Sequence, residues 1–396
     1  MFPAPPAAAS DAGLPPLSAE ERAHAARVLA HLRRTIAAAG GWIAFADYMN
    51  AALYAPGLGY YAAGARKIGP DGDFVTAPEL SPLFGQAVAT QLAQVLRSLE
   101  RAELMELGPG SGRLCAQVLA ALADRDALPA RYWLLEVSPT LRERQREQLN
   151  ASVPQHLPRV GWIDVLPEHW TGAVLANEVL DAVPVHVIAR TGGAWLERGV
   201  SVEASGELVF ADRPLASPTL LERAAARFPE AGDYLSEINP GAEALVASLA
   251  RRCKRGLMLF LDYGFPAAEY YHPQRDHGTL MVHYRHRSIA DPLFRPGLAD
   301  LTAHVDFTAM AHAGAAAGMT VAGYTSQARF LVNCGILDAL ARCGDPQSSA
   351  YLRAASAVQK LVSPAEMGEL VKVLALTRDI EPALVGFLDG DRSHRL

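Results

Sequence analysis

Three glycines, each separated by one residue, mark the segment best suited to hold a ligand. The segment reads Glu106-Leu-Gly108-Pro-Gly110-Ser-Gly112, and it lies between an apolar run and an alanine-rich run. This strand, turn and helix context distinguishes a nucleotide-binding turn from a chance glycine cluster. Glycine allows close approach of the backbone to a ligand and tolerates positive φ angles. The pattern predicts a ligand-binding turn, and a tight connection without a ligand is the alternative.

The spacing of this turn also indicates which ligand it holds. It reads GxGxG and differs from the GxGxxG of dinucleotide-binding proteins, in which a pyrophosphate sits on the helix N-terminus. A carboxylate at Glu106 would repel a pyrophosphate and attract a cation such as the amino group of a methionyl moiety. The turn therefore favours S-adenosyl-L-methionine as cofactor. A nicotinamide-dependent oxidoreductase is the alternative.

Two more acidic residues stand at the ends of predicted strands. Glu136 ends the second strand, where a carboxylate can accept hydrogen bonds from both ribose hydroxyls of a nucleoside. Asp164 ends the third strand and could accept from an adenine amino group. An exposed loop glutamate is the alternative for Glu136, and acidic residues at strand ends are common. Both are predicted to bind the cofactor.

A pair of carboxylates follows the fourth strand, in the segment Asn177-Glu178-Val-Leu-Asp181. The spacing of three places Glu178 and Asp181 on one face of the helical turn expected there. Arginine keeps its proton at neutral pH, so its methylation needs anionic groups that align one nitrogen. The pair therefore suits a cationic substrate. Acids in solvent beside an Asn177 helix cap are the alternative.

The elements that must position these residues alternate between helices and apolar strands, which predicts a parallel α/β sheet. The predicted strands cover residues 103–107, 132–137, 160–164, 173–176, 257–261 and 370–376. The predicted helices cover residues 19–38, 44–54, 81–100, 113–123, 140–150, 242–253, 307–317 and 329–343.

Two insertions and one long loop interrupt this pattern. Residues 184–235 contain three short antiparallel strands, at 185–188, 194–200 and 207–210, and residues 264–302 are irregular and rich in Tyr, His, Arg and Pro. The glycine- and proline-rich stretch from Pro56 to Pro82 predicts an ordered loop, either a lid or a passive connector. The predicted organisation is a disordered terminus at 1–17, a helical segment with the lid loop at 18–100, and the core with its insertions at 101–396.

Composition narrows the possible partners and settings. The chain has 396 residues, half of them hydrophobic, and a net charge of −6, which disfavours nucleic acid as a partner. The four cysteines lack CxxC spacing, so neither a disulfide framework nor a zinc knuckle is expected, and a reduced cytoplasmic setting fits best. No apolar run reaches 18 residues, so no membrane span is expected. The oligomeric state leaves no trace in the sequence.

Six runs stand out along the chain: GYYAAGARKIGPDGDFVTAPELSPLFG (59–85), ELGPGSGRL (106–114), ANEVLDAVPV (176–185), LDYG (261–264), DLTAHVDF (300–307) and MGELVKVLAL (367–376). In this order they resemble the MidA family of class I S-adenosylmethionine-dependent methyltransferases, bacterial and mitochondrial proteins related to a complex I assembly factor that methylates arginine. The resemblance implies a Rossmann-like core of seven strands with an N-terminal helical extension and substrate-side insertions.

The resemblance also implies roles for particular residues. Gly108, Gly110 and Glu136 would contact the cofactor, and a loop carrying Asp73, Phe74, Thr76, Pro78 and Glu79 would close over it. Glu106, Gly112 and Asn177 complete the predicted cofactor set. The family's turn often reads GPGRG, whereas this chain has Ser111. Because backbone atoms make most of the contacts in such a turn, the exchange is expected to leave binding intact, although it could alter a contact with the cofactor carboxylate.

The resulting hypothesis is methyl transfer to a protein side chain, with arginine as the expected acceptor and no metal required. Glu178, Asp181 and His304 are the candidate catalytic residues. His304 is either close to the substrate or a structural residue that caps the next helix together with Asp306. A non-catalytic assembly factor that binds the cofactor is one alternative function. A methyltransferase acting on a small amine is another.

Overall fold

The computed structural model describes residues 14–63, 76–381 and 383–396, and these form an α/β fold. The helices are α1 (Ala19–Ala38), α2 (Phe45–Tyr54), α3 (Ala77–Leu80), α4 (Pro82–Arg97), α5 (Arg113–Ala123), α6 (Pro139–Ser152), α7 (Pro218–Arg227), α8 (Pro240–Arg252), α9 (Ala267–Tyr270), α10 (Phe307–Ala316), α11 (Gln327–Asn333), α12 (Ile336–Ala341), α13 (Ser349–Val362) and α14 (Met367–Leu370).

The strands of the described residues form three sheets. Their bounds are β1 (Ile43–Ala44), β2 (Glu103–Leu107), β3 (Tyr132–Leu135), β4 (Val160–Ile163), β5 (Trp170–Asn177), β6 (His186–Thr191), β7 (Ala194–Val202), β8 (Leu208–Pro214), β9 (Tyr234–Ile238), β10 (Cys253–Phe265), β11 (Met281–Tyr284), β12 (Arg287–Ile289), β13 (Asp300–Thr302), β14 (Val305–Asp306), β15 (Thr320–Ser326) and β16 (Val371–Arg378).

The largest sheet positions the candidate site. Its continuous order is β15-β16-β10-β5-β2-β3-β4, and the two-residue β14 pairs with β10. Strands β10, β5, β2, β3 and β4 are parallel to one another. Strand β16 is antiparallel to both β10 and β15, so β15 runs in the same direction as the parallel strands. This confirms the predicted α/β class with a mostly parallel sheet. The carboxyl ends of β2, β3, β5 and β10 therefore meet at one edge, where open α/β sheets bind their ligands.

Apolar residues of the central strands alternate between two cores. Leu104 of β2 packs on one face with helices α4 and α5, whereas Met105 and Leu107 pack on the other face with α8 and α10. Burial of both faces requires the near-continuous apolar runs that the sequence shows in these strands.

A second sheet joins the N-terminal segment to the first insertion. β1 pairs antiparallel with β7, which pairs with β6 and β8, and β6 pairs with β9. The three strands predicted for the insertion are present as β6, β7 and β8. Helix α1 begins at the predicted position because Ser18 and Glu21 form a capping box. Residues from α1, α2, this sheet and the second insertion share one core.

Several parts of the fold differ from the sequence-based expectation. The helix predicted at 329–343 is two helices, α11 and α12, because Gly335 between them has a φ of 81° in the left-handed region. Residues 264–302 are not irregular throughout: β11, β12 and β13 form a small antiparallel sheet. The strands β9 and β15 and the helices α7 and α13 were also not predicted.

In the described part of the chain, no helix combines the length and the apolar character required to cross a bilayer.

Candidate active site

A cavity of about 540 Å³ opens at the carboxyl edge of the main sheet. Three strand ends form its floor, and the segment that follows α2 together with α3 forms the opposite wall. The predicted site residues that line it are Glu106, Gly108, Gly110, Glu136, Asn177, Glu178, Thr76 and Glu79. Its volume lies in the range of pockets that enclose small organic ligands.

Backbone geometry explains the glycines of the turn. Gly108 and Gly110 have φ angles of 56° and 52°, in the left-handed region, and both line the cavity. A Cβ at Gly108 would lie 3.0 Å from Cγ2 of Val179, which lines the same cavity. A Cβ added at Gly112, which has a φ of 81°, would instead lie 3.3 Å from Gln145 of α6, and Gly112 is not among the described residues that line the cavity. Gly112 thus serves helix packing, and its predicted cofactor contact is not supported by its position.

The turn is tied to α3 by two polar contacts. Ser111 donates its hydroxyl to Oε1 of Glu79 at 2.6 Å, and Nε of Arg113 lies 2.9 Å from Oε2 of Glu79. The carboxylate of Glu79 is almost fully buried, with 3% of its side chain exposed. Thr76 caps α3 by position without a side-chain cap bond. Asp73 and Phe74, predicted for the same loop, lie outside the described residues, and closure of the loop over a cofactor stays a prediction.

Glu106 is a buried carboxyl at the end of β2. It is 2% exposed, and its Oε2 accepts a hydrogen bond from the hydroxyl of Tyr132 at 2.5 Å. Burial raises the pKa of Glu106 to about 7, against the hydrogen bond from Tyr132, which lowers it. A cationic group brought to this carboxyl from the cavity would stabilise its ionised form.

Glu136 follows β3, as predicted, and is held by its neighbours. Its Oε1 accepts from the backbone N–H of Ser138 at 2.8 Å, and its Oε2 accepts from the amide of Gln145 at 3.1 Å. Burial raises the pKa of Glu136, although these hydrogen bonds oppose the shift. Val137, the next residue, lines the cavity with 71% of its surface exposed, an apolar surface that a planar base could cover.

Asp164 directly follows β4, the third parallel strand, as predicted. This strand lies at the far end of the sheet order, and Asp164 is exposed and is not among the described residues that line the cavity. Its position gives no support to an adenine contact, which stays a prediction.

Glu178 and Asp181 are brought together without the predicted helical turn. Glu178 has a φ of 53°, which ends regular structure after β5, and its N–H donates to the carbonyl of Leu261 at 2.8 Å. Its carboxylate accepts at Oε1 from the amide of Asn177 at 3.2 Å. Burial and the charge of Asp262 raise the pKa of Glu178 to about 8.

Two carboxylates that were not predicted as site residues complete this acidic group. Asp262 accepts at Oδ2 from the N–H groups of Val179 and Leu180, at 3.0 and 2.8 Å, and thereby fixes the turn that carries Glu178. Burial and the charges of Asp262, Asp300 and Glu178 hold the pKa of Asp181 well above its usual range. The quoted motifs LDYG and DLTAHVDF contain Asp262 and Asp300, but spacing alone gave no sign that the two meet.

Two tyrosines from the segment after α1 cover the acidic group. The rings of Tyr54 and Tyr61 stack with centroids 5.6 Å apart, and both line the cavity. Tyr54 donates its hydroxyl to the carbonyl of Ala182 at 2.9 Å. The cavity thus has one half at the glycine turn and another half between aromatic rings and carboxylates.

The residues of the first half fit S-adenosyl-L-methionine. A left-handed glycine turn gives the backbone access that a Cβ would block, Glu106 offers an anionic group for an ammonium, and Glu136 offers a carboxylate for hydroxyl groups. A cavity of about 540 Å³ accommodates a molecule of this class.

His304, the third candidate catalytic residue, is not among the described residues that line this cavity. Its backbone N–H donates to the hydroxyl of Thr279 at 3.0 Å, and its ring meets the ring of Phe265 edge-on. Burial lowers the pKa of its imidazole to about 4. It lines a separate small cavity, and no part of it is among the described residues of the large cavity wall. Asp306, not His304, caps α10, by accepting from the N–H of Ala309. The structural interpretation of His304 is favoured over the catalytic one.

Among the described residues, no group of three or more His, Cys, Asp and Glu side chains has the arrangement of a metal site.

Known proteins resemble the chain across most of its length. The family model for S-adenosyl-L-methionine-dependent methyltransferases matches residues 87–325. Protein arginine methyltransferase NDUFAF7, mitochondrial, of Danio rerio is 32% identical, with 86% of this chain and 85% of that protein covered. The Drosophila melanogaster homologue of the same name is 31% identical, with 85% and 82% covered.

A solved structure is similar in both sequence and fold. A Burkholderia thailandensis protein bound to S-adenosyl-homocysteine is 49% identical, with a TM-score of 0.93 and with 97% of this chain and 100% of that chain covered. The names of the curated relatives also overturn one expectation: they are mitochondrial proteins, so the predicted cytoplasmic setting is wrong.

Proposed function

The chain belongs to the S-adenosyl-L-methionine-dependent methyltransferase family, and we propose that its methyl acceptor is an arginine side chain of a protein. Membership of this family bears out the resemblance to the MidA methyltransferases and makes S-adenosyl-L-methionine the cofactor. The proposal concerns the acceptor and the residues that handle it. Relatives named protein arginine methyltransferases support it.

The observation that carries the proposal is the group of four carboxylates beside the cavity. Glu178 lines the cavity, and Asp262 and Asp300 are close enough for their charges to raise the pKa values of both Glu178 and Asp181. Ionised carboxylates gathered in a buried place repel one another, and a bound cation relieves that repulsion. A guanidinium is planar, permanently charged and able to donate to several oxygens at once, so it suits this group.

When bound, S-adenosyl-L-methionine supplies a methyl group on a positively charged sulfur. We assign Glu106, Gly108, Gly110, Glu136, Asn177, Thr76 and Glu79 to holding the cofactor. Glu178 would orient one guanidinium nitrogen toward the methyl group and take up, at Oε1 or Oε2, the proton that this nitrogen loses. Asp181 would stabilise the cation without direct contact with the methyl group. Alignment and electrostatics of this kind supply most of the rate in a displacement reaction.

The test uses cofactor labelled in its methyl group and an extract of a strain that lacks this gene. We expect the wild-type enzyme to label at least one protein and the label to appear in methylarginine after acid hydrolysis. Glu178→Gln should lower the rate of labelling by about 100-fold or more, because a positioned acid–base group contributes at least that much. Its affinity for S-adenosyl-homocysteine should stay within about threefold of wild type, since Glu178 faces the acceptor.

A matched control is Glu168→Gln, which alters a side chain that is 94% exposed and should label at the wild-type rate. Label in lysine, or in small amines only, would contradict the assignment of arginine. Full labelling by Glu178→Gln would contradict its role. Tight binding of S-adenosyl-homocysteine with no label in any fraction would favour a non-catalytic assembly function instead.

A further inference from the structure

A tyrosine on the neighbouring strand holds Glu106 in place. Tyr132 of β3 is fully buried and stands opposite Leu104 of β2 in the parallel register. Leu104 and Glu106 lie on the same face of β2, because side chains two residues apart point the same way. The tyrosine ring reaches along that face to Oε2 of Glu106, at 2.5 Å.

This face of the sheet is otherwise apolar, so burial of the carboxyl and the hydroxyl lowers the stability of the fold. Leu104, Tyr132 and Leu134 belong to the core shared with α4 and α5. A carboxyl and a hydroxyl buried there lose their hydration and recover only part of it by bonding to each other. An apolar pair of similar shape would stabilise this core at least as well. The core alone therefore does not account for the pair.

The hydroxyl of Tyr132 is directed at Glu106. It donates its proton to Oε2 of the carboxyl, 2.5 Å away. The thiol of Cys115 on α5 lies close enough to interact with the tyrosine, and burial raises the pKa of this thiol well above its usual range. The thiol therefore stays neutral and does not compete with Glu106 as an anionic acceptor.

The hydrogen bond from Tyr132 leaves the two oxygens of Glu106 with different roles. Oε2 is committed to Tyr132, while the residue itself lines the cavity beside the glycine turn. We propose that Tyr132 is a positioning residue, which anchors Oε2 within the sheet face and thereby aims Oε1 of Glu106 at the amino group of the cofactor's methionyl moiety. This inference rests on the proposed role of Glu106. Tyr132 itself touches neither the cofactor nor the acceptor.

The test compares two ligands that differ in the group Glu106 would bind. S-adenosyl-homocysteine carries the amino group, whereas 5′-methylthioadenosine has the same nucleoside without the amino-acid part. Calorimetry with both ligands is applied to wild type, Glu106→Gln, Tyr132→Phe and the double variant. We expect Tyr132→Phe to weaken S-adenosyl-homocysteine by roughly 2- to 10-fold, the worth of one hydrogen bond, and to leave 5′-methylthioadenosine within about twofold.

The double variant separates positioning from a general structural role. If Tyr132 acts through Glu106, adding Tyr132→Phe to Glu106→Gln should weaken S-adenosyl-homocysteine no further. The matched control is Tyr324→Phe. Tyr324 is equally buried, and within the described residues its hydroxyl has no hydrogen-bond partner. This control should leave both affinities unchanged.

Two results would overturn the inference, and only one of them would also overturn the proposed role of Glu106. If Glu106→Gln selectively weakens S-adenosyl-homocysteine and Tyr132→Phe weakens both ligands equally or neither, Tyr132 is not a positioning residue and the role of Glu106 stands. If Glu106→Gln has no selective effect, the role of Glu106 fails together with the inference. Circular dichroism of each variant checks that the fold is retained.

Discussion

Tyr61 donates its hydroxyl to Oδ1 of Asp300 at 2.9 Å, across 239 residues of sequence. The bond joins the N-terminal segment to the second insertion, directly over the acidic group of the cavity. Asp300 is 1% exposed, and its charge contributes to the raised pKa of Asp181. The acceptor half of the cavity is therefore assembled from three separate parts of the chain.

Removal of the hydroxyl in Tyr61→Phe should weaken acceptor binding more than cofactor binding. Asp300 loses this donor, and the wall over the acidic group loses one of its ties, so the KM for the labelled protein should rise by about 2- to 10-fold. Affinity for S-adenosyl-homocysteine should change by less than about twofold. Initial rates of label transfer at several acceptor concentrations measure the first quantity, and calorimetry measures the second.

The control for Tyr61→Phe is Tyr48→Phe. Tyr48 lies in the same core and donates to the carbonyl of Pro292 at 3.2 Å, but it is not among the described residues that line the cavity. Both substitutions should lower the free energy of unfolding by about 1 kcal/mol. An equal rise of KM in both variants would show that Tyr61 acts only through stability.

The stability of the cofactor-free protein should depend on pH through Glu106. Its pKa rises from 4.5 in the unfolded chain to about 7 in the folded protein, so the folded state holds the proton more tightly. The free energy of unfolding therefore falls as pH increases from about 4.5 to about 7, by up to about 3 kcal/mol from this group. Urea unfolding at several pH values, without cofactor, measures this fall.

Glu106→Gln isolates the contribution of that carboxyl. The variant should lose less stability over this pH range than wild type, because glutamine does not titrate. The other buried carboxyls still titrate in the variant, so some pH dependence should remain. Glu168→Gln, at an exposed position, should follow the wild-type curve. Parallel curves for wild type and Glu106→Gln would refute the raised pKa.

Gly108→Ala should lower both stability and cofactor affinity. The residue has a φ of 56°, and an added Cβ would lie 3.0 Å from the side chain of Val179 on the cavity wall. The backbone strain costs about 1 kcal/mol, and displacement of Val179 should weaken S-adenosyl-homocysteine by about tenfold or more. Thermal unfolding and calorimetry provide the two measurements.

Gly193→Ala separates strain from contact. Gly193 has a φ of 82°, and no described atom lies within 4 Å of a Cβ placed there. Its substitution should lower stability by a similar amount, about 1 kcal/mol, with unchanged affinity for S-adenosyl-homocysteine. If Gly108→Ala bound the cofactor as tightly as Gly193→Ala, the turn would not need its glycine for the ligand.

Glu136→Gln should weaken nucleoside binding, whereas Asp164→Asn should leave it unchanged. Glu136 lines the cavity with a carboxylate that Ser138 and Gln145 hold in place, so loss of its charge should weaken 5′-methylthioadenosine by roughly 5- to 30-fold. Asp164 is exposed and away from the described cavity wall, so Asp164→Asn should bind normally. Equal losses of affinity in the two variants would show that Asp164 also binds the nucleoside.

The parts of the site that sequence predicted correctly depend on local signals. An apolar run, a glycine turn and an alanine-rich run fix β2 and α5 at their predicted bounds, because each signal acts within a few residues. Glu136 could be placed for the same reason, as it directly follows an apolar run. Gly335, which divides the helix expected at 329–343, was visible in the sequence and could have predicted the break.

Other parts depend on partners remote in sequence. The turn at Glu178 is not helical because Asp262, more than 80 residues later, accepts from Val179 and Leu180. Asp164 appeared equivalent to Glu136 because both end strands, but β4 lies at the edge of the sheet order and β3 lies next to β2. Strand order is a property of the whole fold, which spacing along the chain does not contain.

Because β1 pairs with β7, the N-terminal segment cannot complete its folding until β7 has been synthesised. Ile43 and Ala44 leave the ribosome about 155 residues before their partners Gly199 and Val200, and Tyr61 emerges long before Asp300. The apolar side of α1 and α2 must therefore wait, uncovered, until most of the chain has been made. A nascent chain stalled before residue 200 should bind chaperones that recognise exposed apolar segments, and the acceptor half of the cavity should be the last part of the enzyme to form.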